Sequence, residues 1–274
     1  MKRIKMQDDI KRLNLENGMV DSHFHLYHML KREMKAFDII GRCFSSGLKY
    51  ALDIGINSDN FEARIRTAEL YPGLYTAHGY YPSECVNPEI DEKLKYLADC
   101  LGRDKKAVAL GEIGLDFFHN YGTEAQQRDL LEKQLSLAEK LDLPVVIHSR
   151  DAEGATLEML MEFSPPRKGI IHCFSYSAET AMKFVEMGYY ISFAGNLTYK
   201  KSDLIQQAAA AVPLERLLLE TDAPYLSPDG VRHKKNHPGY IGYTYSFMSR
   251  IRDIPLEQLI PAVQTNFKSL FKIS

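Results

Sequence analysis

Eight short apolar runs, rich in β-branched residues, alternate along the chain with longer stretches of helical periodicity. This alternation is typical of repeated βα units around a parallel sheet. The runs begin at Met19, Tyr50, Leu74, Ala107, Pro144, Lys168, Tyr189 and Leu217. Because none of them shows the polar alternation of a solvated sheet face, the pattern predicts a closed (β/α)8 TIM barrel. An open doubly wound sheet is the alternative fold.

Capping signals mark several of the intervening helices. Thr123 and Gln126 form a capping-box pattern at the start of one helix. Its stripe of mostly apolar positions is predicted at Leu130, Leu131, Gln134, Leu135, Ala138 and Leu141. Ser177 is predicted to cap a second helix, which Gly188 would end. Residues 255–271 are predicted to form the closing helix of the chain.

The chain has 274 residues, which suits a single barrel of about 250 residues with a short addition. Residues 1–18 lie outside the repeat and carry charges of both signs, so we predict an N-terminal extension that forms a charged helix or arm. Residues 19–274 are predicted to form one TIM-barrel hydrolase domain.

Charge and cysteine content narrow the class of protein. The 34 basic and 36 acidic residues leave a net charge of −2, so no large cationic field would collect nucleic acid from a distance. The four cysteines form no CxxC pair, which indicates reduced thiols and a cytoplasmic protein. No segment approaches the roughly 18 apolar residues of a spanning helix, so no membrane association is predicted.

Ionisable side chains end five of the apolar runs, where burial is costly unless a partner compensates. They are His23, His25, Glu112, His148, His172 and Asp222. Any one of them alone is typical of a hydrogen-bonded structural residue, but parallel strands of a barrel would bring all of them to one end. Imidazoles with carboxylates, one of which could bridge, predict a site for two divalent metal ions. His28 and His119 are assigned surface or structural roles.

Five segments of the chain, taken in order, resemble the signature blocks of one family. They are DSHFHL (21–26), LGEIGLD (110–116), PVVIHSRDA (144–152), IHCFS (171–175) and ETDAPYLSP (220–228). Together they resemble the TatD-type metal-dependent deoxyribonucleases, a branch of the amidohydrolase-like barrels. The resemblance covers essentially everything from residue 19 onward.

The resemblance implies a barrel that hydrolyses DNA phosphodiester bonds from a 3′ end with two divalent ions. The ions would be Mg²⁺ or Mn²⁺ in function, with Zn²⁺ or another divalent ion as the alternative. It implies that His23, His25 and Asp222 hold one ion. His148 and His172 would then hold the other, with Glu112 bridging. Of these, Glu112 and Asp222 would be the catalytic carboxylates, and Asp222 is our candidate for accepting the proton of the attacking water.

Several positions depart from the family pattern. Tyr81 stands where G-x-H-P has its histidine, and His237 stands where R-N-E-P has its glutamate. Tyr27 and Tyr176 are further departures. Rim tyrosines would either stack on unpaired bases or cover the ends of helices. Substrate contacts are expected from Tyr81, Arg150, Lys200, Lys235 and His237, although Arg150 could instead pair with Asp151 or Glu153, and the lysines could lie in solvated loops.

Three functions compete. The first is a 3′–5′ exonuclease acting on single-stranded or frayed DNA ends. The second is hydrolysis of a small amide, ester or aminoacyl substrate by the same kind of site, and the third is metal binding without turnover. DNA 3′ ends are thus the expected partner, no obligate protein partner is expected, and a monomer is the default.

Overall fold

The structure is a computed structural model that describes Leu15 and residues 18–273. Within these residues, eight parallel strands pair in sequence order around a barrel. The strands are β1 (Val20–Phe24), β2 (Tyr50–Ile54), β3 (Leu74–His78), β4 (Ala107–Asp116), β5 (Val145–Arg150), β6 (Gly169–Ile171), β7 (Tyr190–Phe193) and β8 (Leu217–Leu219). The predicted TIM-barrel fold is therefore confirmed, and the alternative of an open doubly wound sheet is wrong.

The barrel closes between its last and first chain segments, just beyond the end of β8. Phe24 bridges Ala223 in parallel. The backbone N–H of His25 donates to the carbonyl of Ala223 at 2.7 Å, and the N–H of Asp222 donates to the carbonyl of His23 at 2.9 Å. Closure thus brings the first and the eighth strand ends together at the carboxyl end of the barrel.

Helices pack around the outside of the strands. They are α1 (Leu26–Lys31), α2 (Ala36–Ser45), α3 (Phe61–Glu69), α4 (Ile90–Arg103), α5 (Glu124–Lys140), α6 (Glu153–Glu162), α7 (Ala178–Glu186), α8 (Asp203–Ala211), α9 (Ile241–Arg252) and α10 (Leu256–Phe271). Each strand is buried on the side that faces these helices and on the side that faces the barrel interior, which explains why the strands read as continuous apolar runs. No helix in the described part of the chain is both long and apolar enough to cross a lipid bilayer.

The predicted elements agree closely with the observed ones. Every strand begins at the predicted residue or one residue later. The capping box of α5 is present, with Thr123 and Gln126 bonding reciprocally, and Ser177 caps α7. The predicted stripe of α5 is wrong at Leu141, which follows the last helical residue and is 36% exposed. The predicted charged helix or arm falls outside the described residues, apart from Leu15 and Gly18.

Two glycines of β4 let this strand lie unusually close to β5. A Cβ atom at Gly114 would stand 1.9 Å from the carbonyl oxygen of His148, and one at Gly111 would stand 2.6 Å from Cβ of Val146. Gly114 pairs with His148 across the two strands. This close packing places Glu112, on β4, beside the functional end of β5.

Candidate metal centre

The six ionisable residues predicted from the strand ends lie together at the carboxyl end of the barrel. Five of them are buried and His148 is partly exposed. They come from five strands: His23 and His148 lie near the ends of β1 and β5, and Glu112 lies within β4, four residues before its end. His25, His172 and Asp222 follow the last residues of β1, β6 and β8 by one to three positions. The structure therefore brings together every residue of the predicted metal set.

Glu112 lies between two pairs of histidines. Its Oε2 is 3.5 Å from Nε2 of His23 and 3.5 Å from Nε2 of His25. Its Oε1 is 3.0 Å from Nδ1 of His148 and 2.9 Å from Nε2 of His172. Each carboxylate oxygen thus faces a different pair of imidazoles.

Asp222 completes the centre on the side of β1. Its Oδ1 lies 3.5 Å from Nε2 of His25 and 3.8 Å from Nε2 of His23. Three sets of ligand atoms, each within 4.8 Å of one another, could hold a metal ion: His23 with His25 and Glu112, Glu112 with His148 and His172, and His23 with His172 and Asp222. The sets overlap, so together they form one continuous centre.

The outer nitrogens of three of these rings point at oxygen acceptors. The pairs are His25 Nδ1 with the carbonyl of Ile54 at 3.1 Å, His172 Nδ1 with Glu220 Oε1 at 3.3 Å, and His148 Nε2 with Asp116 Oδ2 at 3.1 Å. An acceptor on the outer nitrogen fixes the tautomer that leaves a lone pair on the inner nitrogen. Nδ1 of His23 is buried and has no hydrogen-bond partner among the described residues. The residues present therefore fit a metal centre.

The carboxylates of the centre are held in their charged form. Burial alone would raise the pKa of Glu112, but the facing imidazoles of His172, His148 and His23 outweigh it and hold this pKa well below its usual value. The pKa of Asp222 is lowered in the same way, since His25 and His23 outweigh its burial. Ionised carboxylates beside imidazole nitrogens are donor groups that bind divalent cations.

A cavity of about 660 Å³ opens onto the centre. Its floor includes His25, Glu112, His148, His172 and Asp222. A cavity of this size holds an organic substrate of several hundred daltons. The candidate metal centre is therefore reachable from solvent.

Comparisons with known proteins identify the family. The model of the family described as TatD related DNase matches residues 20–272. The chain belongs to the TatD family. Its members include relatives named as uncharacterized metal-dependent hydrolases, and the chain shares that class of activity.

Two relatives and one solved structure show how far the likeness extends. The metal-dependent hydrolase YcfH of Escherichia coli K12 is 31% identical over 260 residues, which cover 93% of this chain and 96% of YcfH. The 3′-5′ ssDNA/RNA exonuclease TatD of Klebsiella pneumoniae is 30% identical over 244 residues, which cover 86% of this chain and 91% of that relative. The crystal structure of YjjV, a TatD homologue from Escherichia coli K12, superposes with a TM-score of 0.85 at 32% identity, and the match covers 93% of this chain and 98% of that one.

Tyr81, which the sequence analysis singled out as a departure from the family pattern, lines the cavity. Its hydroxyl donates to Asp116 Oδ2 at 2.8 Å and lies 3.0 Å from Nε2 of His148. Burial, followed by the charges of Glu112 and Asp116, raises the pKa of Tyr81, so the phenol keeps its proton. The departure therefore replaces one hydrogen-bonding ring with another beside a predicted metal ligand.

The other predicted substrate contacts divide into two groups. Arg150 lines the cavity, and its guanidinium lies over the ring of Phe118. Lys200 and Lys235 are exposed and do not line the cavity. The expectation that His237 lines the mouth is wrong: it is buried, and its Nδ1 accepts the N–H of Gly239 at 3.1 Å. His237 caps a short 3-10 helix there and is not among the residues that line the cavity.

Tyr176, another departure from the TatD pattern, covers a helix end. Its hydroxyl lies 2.9 Å from Oγ of Ser149 and accepts the N–H of Ala152 at 3.3 Å. Ala152 directly precedes α6. Of the two roles considered for rim tyrosines, this one therefore has the structural role.

Sequence reasoning missed three residues of the site. His28 and His119 were assigned surface or structural roles, yet both line the cavity. Asp116 ends the same strand that carries Glu112, and it bonds to His148, Tyr81 and His119. The strand-end position of Asp116 was the available signal, whereas the orientations of His28 and His119 depend on loops.

Proposed function

We propose that this protein is a 3′–5′ exonuclease that removes nucleotides from single-stranded or frayed DNA ends with two divalent metal ions. The observation that carries the proposal is the position of Glu112 between two histidine pairs at the floor of an open cavity. The Klebsiella relative named as an exonuclease supports the choice of nucleic acid as substrate.

The assignment of residues to the two ions is the one that the family resemblance implies, and the distances within the centre are compatible with it. His23, His25 and Asp222 would hold one ion, and His148 and His172 would hold the other. Glu112 lies between the two histidine pairs and would contribute to both ions. Bound Mg²⁺ or Mn²⁺ would supply Lewis-acid activation of water and neutralise charge that develops on the phosphate.

The protein's own groups would complete the reaction. Asp222 lines the cavity with an ionised carboxylate, so it can accept the proton of the attacking water. Arg150 lines the same cavity and can offer a fork of N–H donors to a substrate phosphate. Because charge neutralisation falls mainly to the ions, the net charge of −2 is compatible with a nucleic-acid substrate.

The test is hydrolysis of a 3′-overhang DNA oligonucleotide labelled at its 5′ end. Metal-loaded wild-type protein should shorten the labelled strand stepwise from its 3′ end, and both a chelator and the Glu112→Ala substitution should abolish the shortening. An RNA strand of the same sequence, run in parallel, reports whether ribose is accepted. Intact DNA in the presence of bound metal would refute the proposal and favour hydrolysis of a small amide or ester.

A further inference from the structure

The loop that follows β4 carries four aromatic or imidazole side chains within five residues, Phe117, Phe118, His119 and Tyr121. Phe118 is unusual among them because its side chain is 58% exposed. The guanidinium carbon of Arg150 lies only 3.9 Å from the centre of its ring. An exposed large aromatic ring beside a cation often marks a binding surface.

Phe118 is the outermost member of a row of rings that begins at the candidate metal centre. The row consists of Tyr81, Tyr121, His119 and Phe118, and we call it the aromatic row. Its successive ring centres are 5.9, 5.1 and 5.0 Å apart. Its innermost hydroxyl, that of Tyr81, lies 3.0 Å from Nε2 of His148. The row therefore leads from the centre to the protein surface.

Two members of the aromatic row, Tyr81 and His119, are held by one buried carboxylate. Asp116 Oδ1 accepts the backbone N–H of His119 at 2.9 Å, and Oδ2 lies 2.9 Å from Nδ1 of the same histidine. Asp116 also accepts the hydroxyl of Tyr81. Tyr81 and His119 are thus both bonded to one side chain, so these two rings need little ordering when a ligand binds.

We propose that the aromatic row is a subsite on which bases of single-stranded nucleic acid stack, with Phe118 as its outer platform and Arg150 as the contact for an adjoining phosphate. Ring faces accept any base, and a neighbouring cation pairs with the backbone. A small substrate held within the cavity would not reach Phe118, which does not line it. This inference rests on the proposed function, since it names where the substrate strand of that same site would lie.

The subsite can be tested by binding, without turnover. The probe is a 5′-fluorescein-labelled, phosphorothioate-linked oligothymidylate, which resists hydrolysis, added to full-length protein in Mg²⁺ and followed by fluorescence anisotropy. Phe118→Ala should weaken binding at least about fivefold, because stacking of one base on an aromatic ring is worth that much or more. Phe118→Tyr, which keeps the ring, should bind as the wild type does. Phe37→Ala is the matched control, because Phe37 lies on α2 and is 48% exposed.

A second probe separates stacking from backbone contact. In an oligonucleotide of the same length and backbone with abasic sites in place of bases, Phe118→Ala should leave the affinity unchanged. Equal losses with both probes, an affinity within twofold of the wild type for Phe118→Ala, or no binding by the wild type would each overturn the subsite.

The same measurements keep the two proposals apart. If the wild type fails to shorten DNA but Phe118→Ala shows the base-dependent loss of binding, the stacking subsite is supported and the exonuclease proposal is refuted. If the wild type shortens DNA and Phe118→Ala binds normally, the exonuclease proposal stands and the aromatic row falls.

Discussion

Substitution of Asp116 by asparagine should weaken metal binding although it replaces none of the predicted metal ligands. Asp116 Oδ2 lies 3.1 Å from Nε2 of His148 and 2.9 Å from Nδ1 of His119, and it accepts the hydroxyl of Tyr81 at 2.8 Å. Oδ1 accepts the backbone N–H of His119. In either orientation, the amide group of asparagine would therefore direct an N–H donor at another donor.

Two magnitudes follow from this geometry. A buried donor left without an acceptor costs about 1–3 kcal/mol, so the free energy of unfolding of the metal-free protein should fall by that amount. Loss of a carboxylate partner behind a metal-binding histidine typically lowers metal affinity about 10- to 100-fold. Since tenfold corresponds to about 1.4 kcal/mol, the loss of binding free energy should be about 1.4–2.8 kcal/mol.

Isothermal titration of metal-free protein with Mn²⁺ measures the affinity, and urea denaturation measures the stability. Asp104→Asn is the matched control, because Asp104 is also buried and its Oδ2 lies 2.8 Å from Nε2 of His78, outside the cavity lining. The control should lose stability and keep its metal affinity. Wild-type metal affinity in Asp116→Asn, or an equal loss of affinity in Asp104→Asn, would refute the reasoning.

Three further outcomes are expected. Thr123→Ala removes the capping box of α5 and should lower the free energy of unfolding by about 1 kcal/mol in urea denaturation, whereas an unchanged midpoint would contradict the cap's role. Tyr81→Phe removes a hydrogen bond to a buried carboxylate and should cost about 1.5–3 kcal/mol in the same assay, with a loss below 0.5 kcal/mol counting against that bond. Burial and the charge of Arg64 lower the pKa of His78 in the folded protein. As pH falls, His78 of the unfolded chain is therefore protonated before His78 of the folded protein, and the free energy of unfolding should decrease below about pH 6.5. A pH titration followed by nitrogen-15 NMR should give folded His78 a pKa below the ordinary histidine value of about 6.5, and an equal or higher pKa would contradict this account.

The sequence was sufficient to predict the strands, and to predict which ionisable residues would converge at one end of the barrel, for one physical reason. A barrel strand buried on both faces must be apolar along its length, so an ionisable residue such as His148 or Asp222 stands out where the strand ends. Parallel strands then bring those ends together, and the converging side chains can be predicted without knowing the loops.

The positions of loop residues could not be predicted in this way. His237 follows β8 in sequence and resembles a mouth residue, yet the 3-10 helix that it caps turns its ring inward. His119 has no apolar run around it to indicate burial, and its place in the cavity depends on the bond to Asp116. The direction of a loop side chain is set by such tertiary contacts, which no periodicity along the chain reports.

The most direct test of the account is the metal content of the Glu112→Gln variant beside the wild type. Both proteins would be loaded with Mn²⁺, dialysed and measured by inductively coupled plasma mass spectrometry. Because Glu112 offers one oxygen to each histidine pair, the wild type should retain two ions per chain and the variant at most one, with loss of DNA shortening. A single ion in the wild type, or two ions retained by a folded Glu112→Gln variant, would contradict a centre bridged by Glu112.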